Sequence, residues 1–264
     1  PTSRSHKTIE PRHPNRHDVR MQPATTSFPE TADIETSSDE YANRFSGACG
    51  VWMLEVQEQR TLAQLASHPE IRSVLDVGGG HVQLAHPLVR DGYAVTVIGS
   101  DASCAHRIQS LIDAGTCRFD VGNMIALPYP DQSFDAVICF RLVTHCEQWP
   151  RLIAELCRVA KHTVTIDYPT STSLNAIAPL FFKAKKNFEK NTRTWTLFTH
   201  AQILAELEKN GFRRERRVGQ FFFPMVVHRM LKSRTISSAM ESVSRALGLN
   251  YALGSPVIAT FSRR

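Results

Sequence analysis

Val74-Leu75-Asp76-Val77-Gly78-Gly79-Gly80-His81-Val82-Gln83-Leu84-Ala85 decides the fold. A short apolar run reaches an acid, then three consecutive glycines, then a segment of helical character. That order reads as a buried strand, a tight turn and the first turn of a helix. Glycines let a backbone approach a ligand closely, and a helix start presents free N–H groups. At the carboxyl end of a parallel strand, such a turn marks a nucleotide- or nucleoside-binding crevice. A glycine cluster alone also serves as a plain strand-to-helix turn, so the reading depends on its surroundings.

Working outward, strands and helices alternate. Strand Ser73–Val77 leads to helix His81–Asp91, strand Ala94–Ile98 to helix Ala102–Ala114, and strand Cys117–Val121 to the loop Gly122–Ser133. Strand Phe134–Phe140 then leads to helix Trp149–Val159 and strand His162–Asp167. Strands alternating with helices of about ten residues predict a parallel sheet wound on both faces. Upstream, residues 39–66 read as helical, interrupted at Gly47 and Gly50. Residues 1–38 are rich in Pro, Ser, Thr, His and charge and read as a disordered tail. Beyond Pro169, residues 171–190 form an apolar-then-basic helical stretch, and 200–210 a helix stopped by Gly211. Residues 212–228 and 255–262 read as the last strands, with a helical insert over 229–247. The division is thus a tail over 1–38 and one domain over 39–264. Within it, 72–168 form the core, 171–210 substrate-side helices, and 212–264 the terminal strands with their insert.

At 264 residues with 42% hydrophobic content, the chain suits one large domain with a full core. No run approaches the ~20 apolar residues of a membrane span. The six cysteines form no C-x-x-C pair, and Cys139 stands in an apolar run. They read as reduced, buried thiols without a metal site, and the chain as cytoplasmic. The net charge of +6 is uneven, with −5 in residues 21–40 and +11 in residues 183–264. The basic third suits an anionic substrate, an anionic lipid surface, nucleic acid, or simply solvent.

A second block is longer: Asp120-Val121-Gly122-Asn123-Met124-Ile125-Ala126-Leu127-Pro128-Tyr129-Pro130-Asp131-Gln132-Ser133-Phe134-Asp135-Ala136-Val137-Ile138. With the glycine block and the helix Leu152–Lys161, it makes residues 72–168 resemble a class I S-adenosylmethionine-dependent methyltransferase. The likeness is to small-molecule enzymes of the ubiquinone/menaquinone-biosynthesis type. It implies a Rossmann-like, doubly wound, mostly parallel seven-stranded sheet with an N-terminal helical lid and C-terminal substrate-side insertions. The implied cofactor is S-adenosylmethionine. On this resemblance Gly78, Gly79 and Gly80 hug the cofactor, and Asp76 anchors the loop or the cofactor's amino group. Asn123 and the Met124 N–H face the adenine, and Phe140 and Arg141 border the cofactor and the substrate entrance. Tyr41 and Arg44 belong to the lid, with Arg44 placed for the cofactor's carboxylate.

Two departures stand out. The family ends its second strand with an acid for the ribose hydroxyls, but that position falls at Gly99. Either Asp101 reaches back, or Ser100 and backbone groups take over. The Pro-Gly-Gly turn before the fifth strand is replaced by Ala160-Lys161-His162. A hydroxyl acceptor needs a general base, for which His145 is the candidate; the same residue also suits a helix cap. Asp167 and Tyr168 are further substrate contacts, and Phe221-Phe222-Phe223-Pro224-Met225 supplies apolar lining or core. The expected activity is methyl transfer to an oxygen, nitrogen or carbon of a small organic acceptor. A nucleic-acid methyltransferase and a non-catalytic cofactor-binding relative are the alternatives. The first lacks an Asn-Pro-Pro-Tyr-like motif after the fourth strand. Peripheral contact with an anionic membrane and the oligomeric state stay open.

Overall fold

The computed structural model describes residues 28–79, 84–174 and 195–264. The expectations for Gly80, for the helix start at His81 and for most of the helical stretch 171–190 therefore lie outside the described residues. Seven strands form one sheet in the order β3-β2-β1-β4-β5-β7-β6. They are β1 Ser73–Val77, β2 Ala94–Gly99, β3 Cys117–Val121, β4 Phe134–Cys139, β5 Ala160–Tyr168, β6 Phe212–Phe221 and β7 Ser255–Arg263. β1 to β5 run parallel, and β7 enters antiparallel between β5 and β6. The central strands are apolar on both faces, as burial from two sides requires: Val74, Leu75, Val137 and Ile138 are fully buried.

The helices around the sheet, in chain order, are α1 Ala32–Ser37, α2 Asp39–Asn43, α3 Gly47–Leu65, α4 Ala85–Arg90, α5 Gln109–Asp113 and α6 Trp149–Val159. After them come α7 His200–Lys209, α8 Met225–Leu231, α9 Arg234–Ala246 and α10 Leu249–Leu253. α6 shows the usual logic. Pro150 sits in its first turn, and Leu152, Ile153, Leu156, Cys157 and Val159 face the sheet.

Four expectations change. The helical stretch over 39–66 breaks once, at 44–46 just before Gly47, and runs unbroken through Gly50, where a Cβ would lie 2.2 Å from the Phe45 carbonyl oxygen. Residues 102–108 are a 3-10 helix, and only Gln109–Asp113 is α-helical. The strand expected over 212–228 ends at Phe221 and gives way to α8, and the expected insert is three helices.

The fourth change concerns the tail. The described fold begins at residue 28, and residues 30–38 lie across the carboxyl ends of the strands as a strap. The Glu30 carboxylate accepts the Gln148 N–H at 2.8 Å and the Glu147 N–H at 3.3 Å. Asp33 accepts the Ser100 N–H at 2.6 Å and the Ser100 hydroxyl at 2.5 Å. Ala32 belongs to the same apolar cluster as Val77, Ile98 and Met124. A segment with so few large apolar residues is held because its acids answer backbone donors that would otherwise be unpaired.

Another buried acid ties the last helices to the sheet. Glu241 of α9 accepts the Phe222 N–H at 2.9 Å, the Phe223 N–H at 3.0 Å, the His228 Nε2–H at 3.0 Å and the Asn250 amide at 2.7 Å. Burial raises its pKa, but these donors outweigh burial and hold it below the ordinary range. Glu241→Ala leaves four donors without this acceptor, those of His228 and Asn250 buried. Urea denaturation of that variant is expected to show a loss of about 3–5 kcal/mol. A loss under ~1 kcal/mol would mean that water replaces the carboxylate.

Candidate functional site

The chain reverses its strand order between β1 and β4, so a crevice opens at their carboxyl ends. β1 leads there into Gly78, whose φ is +72°. A Cβ on Gly78 would lie 2.5 Å from Leu142 Cδ2 and 3.2 Å from Met124 Sδ. Only glycine lets the loops after β1, β3 and β4 close on one another here. The Gly78 N–H donates to Ile98 O at 2.8 Å, and the Gly122 N–H to Gly99 O at 2.9 Å, which ties the tips of β1, β2 and β3 together.

Two carboxylates are buried in this crevice. Asp76 ends β1 at 3% exposure, and Asp167 lies next to the end of β5 at 5%. Burial pushes Asp76 up to about 7 and Asp167 up to about 6, opposed by the charge of Arg141. No side-chain hydrogen bond from the described residues reaches Asp76, while Asp167 accepts the Arg141 N–H at 2.6 Å. Arg141 follows β4 with φ +58°, a left-handed conformation that costs a non-glycine residue strain. Its guanidinium donates to Gln57 Oε1 at 2.5 Å and stacks over the Phe45 ring at 4.4 Å. Both partners come from the N-terminal lid. Tyr41 packs against Phe45 with ring centroids 5.9 Å apart, and Arg44 lies over the Tyr41 ring at 4.9 Å. Burial raises the Tyr41 phenol, opposed by the charge of Arg141.

The structure brings Asp76, Gly78, Arg141 and Met124 together at the crevice, with Tyr41 above. Gly79 is half-buried beside them. Asn123 turns inward on its own loop, its Oδ1 accepting the Ile125 N–H at 3.2 Å. Phe140 faces the apolar layer shared by Val74 and Leu84. His145 ends the 3-10 helix Val143–His145, half-buried. Arg44 is exposed.

At the tip of β2 the geometry holds a surprise. The Asp101 carboxylate caps the following 3-10 helix by accepting the Ser103 N–H at 2.8 Å. Ser100 is taken by Asp33, from the strap. Gly99 makes the room, since a Cβ there would lie 3.3 Å from Asp33 Oδ2 and 2.9 Å from the Cys104 Cβ. Asp33 was missed in the sequence because it lies 67 residues away, in a segment without periodicity. Gln57, which orients Arg141, was hidden in a helix read only for its apolar face. All six cysteines are free and buried, and burial pushes Cys117 up to about 11 and Cys104 up to about 12. Among the described residues no cluster of three or more His, Cys, Asp or Glu is arranged to hold a metal ion.

A methyltransferase-domain family matches residues 75–166, the span that carries the glycine turn, Arg141 and all but the end of β5. Over residues 75–166 the chain is thus similar to a methyltransferase domain. The chain is 28% identical over 123 residues to ajmaline N-methyltransferase of Rauvolfia serpentina, an overlap covering 42% of this chain and 40% of that protein. It is 31% identical over 126 residues to demethylmenaquinone methyltransferase of Deinococcus radiodurans, covering 42% and 50%. The match thus spans half or less of the length of these curated relatives. In fold, the chain is similar to magnesium protoporphyrin IX methyltransferase from Synechocystis PCC 6803, solved with bound SAH. The TM-score is 0.59 at 16% identity, over 86% of this chain and 94% of that one.

The fold keeps Asp76 at a cost to stability. Its native pKa of about 7 lies above the unfolded value of about 3.9, so the native state holds the proton more tightly between the two. Stability from this group therefore falls as pH rises from about 4 through 7. Asp76→Asn removes the cost. The variant is expected to gain about 4 kcal/mol over the wild type at pH 8 and nothing near pH 4. Urea midpoints that shift equally at both pH values would refute this origin.

Proposed function

We propose that the chain transfers a methyl group from S-adenosylmethionine to an oxygen, nitrogen or carbon atom of a small organic acceptor. One observation carries the reading: two buried carboxylates, Asp76 and Asp167, stand at the switch-point crevice beside a glycine turn, in a stretch similar to a methyltransferase domain. Two carboxylates against one guanidinium favour a cationic ligand, and a glycine turn without room for a side chain favours close backbone approach. Both features fit the cofactor, whose sulfonium supplies an already activated methyl group when bound.

In this reading Asp76 anchors the cationic amino group, and Gly78, Gly79 and Gly80 bring the backbone against the ligand. Asp101, released from its cap on Ser103, or else Ser100 with backbone groups, serves its ribose side, Asn123 and Met124 its adenine, and Phe140 and Arg141 border the cofactor and the substrate entrance. Tyr41 and Arg44 close over it, which excludes water and aligns the acceptor; most of the rate comes from that placement. His145 is the proposed proton acceptor for a hydroxyl nucleophile.

Calorimetric titration with S-adenosylhomocysteine tests the site. Micromolar binding is expected for the wild type, and none for Gly78→Val, whose side chain collides with Leu142. A wild type that does not bind sinks the proposal. His145→Ala is expected to keep that affinity and to lower turnover of a hydroxyl acceptor by about 10²-fold or more. Undiminished turnover removes His145 from the chemistry.

A further inference from the structure

The edge strand β6 carries four arginines and one acid in Arg213-Arg214-Glu215-Arg216-Arg217. Residues directly opposite in an antiparallel ladder share a face of the sheet, so the register sorts these side chains. Arg213 stands opposite Ser262 of β7, and Ser262 opposite Thr163 of β5. In the next row Arg216 stands opposite Thr260, and Thr260 opposite Thr165. The Thr260 hydroxyl donates to Gln64 Oε1, so both rows lie on the face that α3 covers. Two polar rows thus run beneath a helix and end in arginines at the sheet edge.

A hollow of about 400 Å³ opens at that edge, lined by His68, Arg213, Arg214, Glu215, Ser262 and Arg263. β6 runs parallel to β5, so the hollow at its start lies at the end of the sheet opposite the crevice. Arg213 and Arg214 have no hydrogen-bond or ion-pair partner among the described residues. Arg263 is held in place: it donates to Cys157 O at 2.6 Å and Ala160 O at 2.5 Å and stacks over Phe212 at 4.8 Å. The nearby acids are engaged elsewhere. Glu215 and Glu70 each meet His68 at 3.0 Å, and Glu208 meets Arg264 at 3.3 Å.

A second observation points to the same corner. Folded proteins leave few buried polar atoms unpaired. Among the described residues six side-chain atoms are in that state, and three belong here: Arg263 Nε, Thr163 Oγ1 and Gln64 Nε2. Arg263 lines the hollow, Thr163 faces Ser262 across the ladder, and Gln64 sits on the last turn of α3, just before His68. Arginines that merely keep other sheets from pairing with an edge need neither a hollow nor unpaired groups behind it.

We propose that this hollow binds a small phosphorylated molecule through its phosphate group. Three separate guanidinium groups and the Ser262 hydroxyl offer more donors than the two oxygens of a carboxylate can use, and a phosphate presents three. The hollow also leaves room for the group that carries the phosphate. The proposal does not depend on methyl transfer.

Calorimetric titration of the full chain with pyrophosphate at low salt tests this. Saturable binding at one site is expected. Arg213→Gln is expected to weaken it at least about tenfold, and Ser262→Ala, which changes no charge, about fivefold. Lys232→Gln removes an equal charge at the end of α8 and is expected to leave the affinity unchanged. Thermal melting of each variant checks that the fold survives. A wild type that does not bind pyrophosphate overturns the proposal, as does binding that both Arg213→Gln and Ser262→Ala retain. Equal losses in Arg213→Gln and Lys232→Gln would reduce the effect to overall charge and overturn it as well. A single-stranded RNA oligonucleotide that displaces pyrophosphate and binds more tightly would make the edge a nucleic-acid surface, which also overturns it.

Discussion

The charge of Arg141 on Asp76 and Asp167 is the interaction on which the rest of the crevice depends. Two carboxylates end neighbouring parts of the sheet, on β1 and β5, in surroundings that strip them of water. The charge of Arg141, on the turn after β4, acts on both, and that turn is held in a left-handed conformation whose N–H is spent on Asp167. The same side chain is the landing point of the lid, through Gln57 and Phe45. Sheet, turn and lid thereby meet at one side chain.

This arrangement works against stability. Burial alone pushes both carboxyls toward neutrality, and the guanidinium offsets only part of that. Folded proteins concentrate such unfavourable groups where they bind or react. The clean core beneath, from Leu75 and Val137 to Leu152 and Leu156, supplies the stability that the crevice lacks.

The central part of the chain was legible because its signals are local. The apolar run into Gly78, the alternation of strands with helices and the amphipathic spacing of α6 each sit within a short window. The strap was not legible, because what holds it is Glu30 and Asp33 answering N–H groups of distant loops, and composition says nothing of that. For the same reason the tip of β2 read as lacking an acid at Gly99, while the fold puts the carboxylate of Asp33 beside it. α9 was visible as a helix, but periodicity points its apolar side at the core; only the Glu241 hydrogen bonds show why the polar side went in. The break between α2 and α3 was legible at Gly47, while Gly50, read as a second break, lies inside α3 against the Phe45 backbone.

The strap also bears on how the chain reaches its native state. Asp33 meets Ser100 across 67 residues of sequence, and Glu30 meets Gln148 across 118. Closing loops of that length costs entropy that the contact itself recovers only once both ends are ordered. The parallel core has to assemble before the strap has a place to dock, because its donors are backbone groups at the strand tips. Docking of residues 30–38 is thus a late event of high contact order. Until it happens, the N–H groups of Ser100, Glu147 and Gln148 lack their carboxylate acceptors.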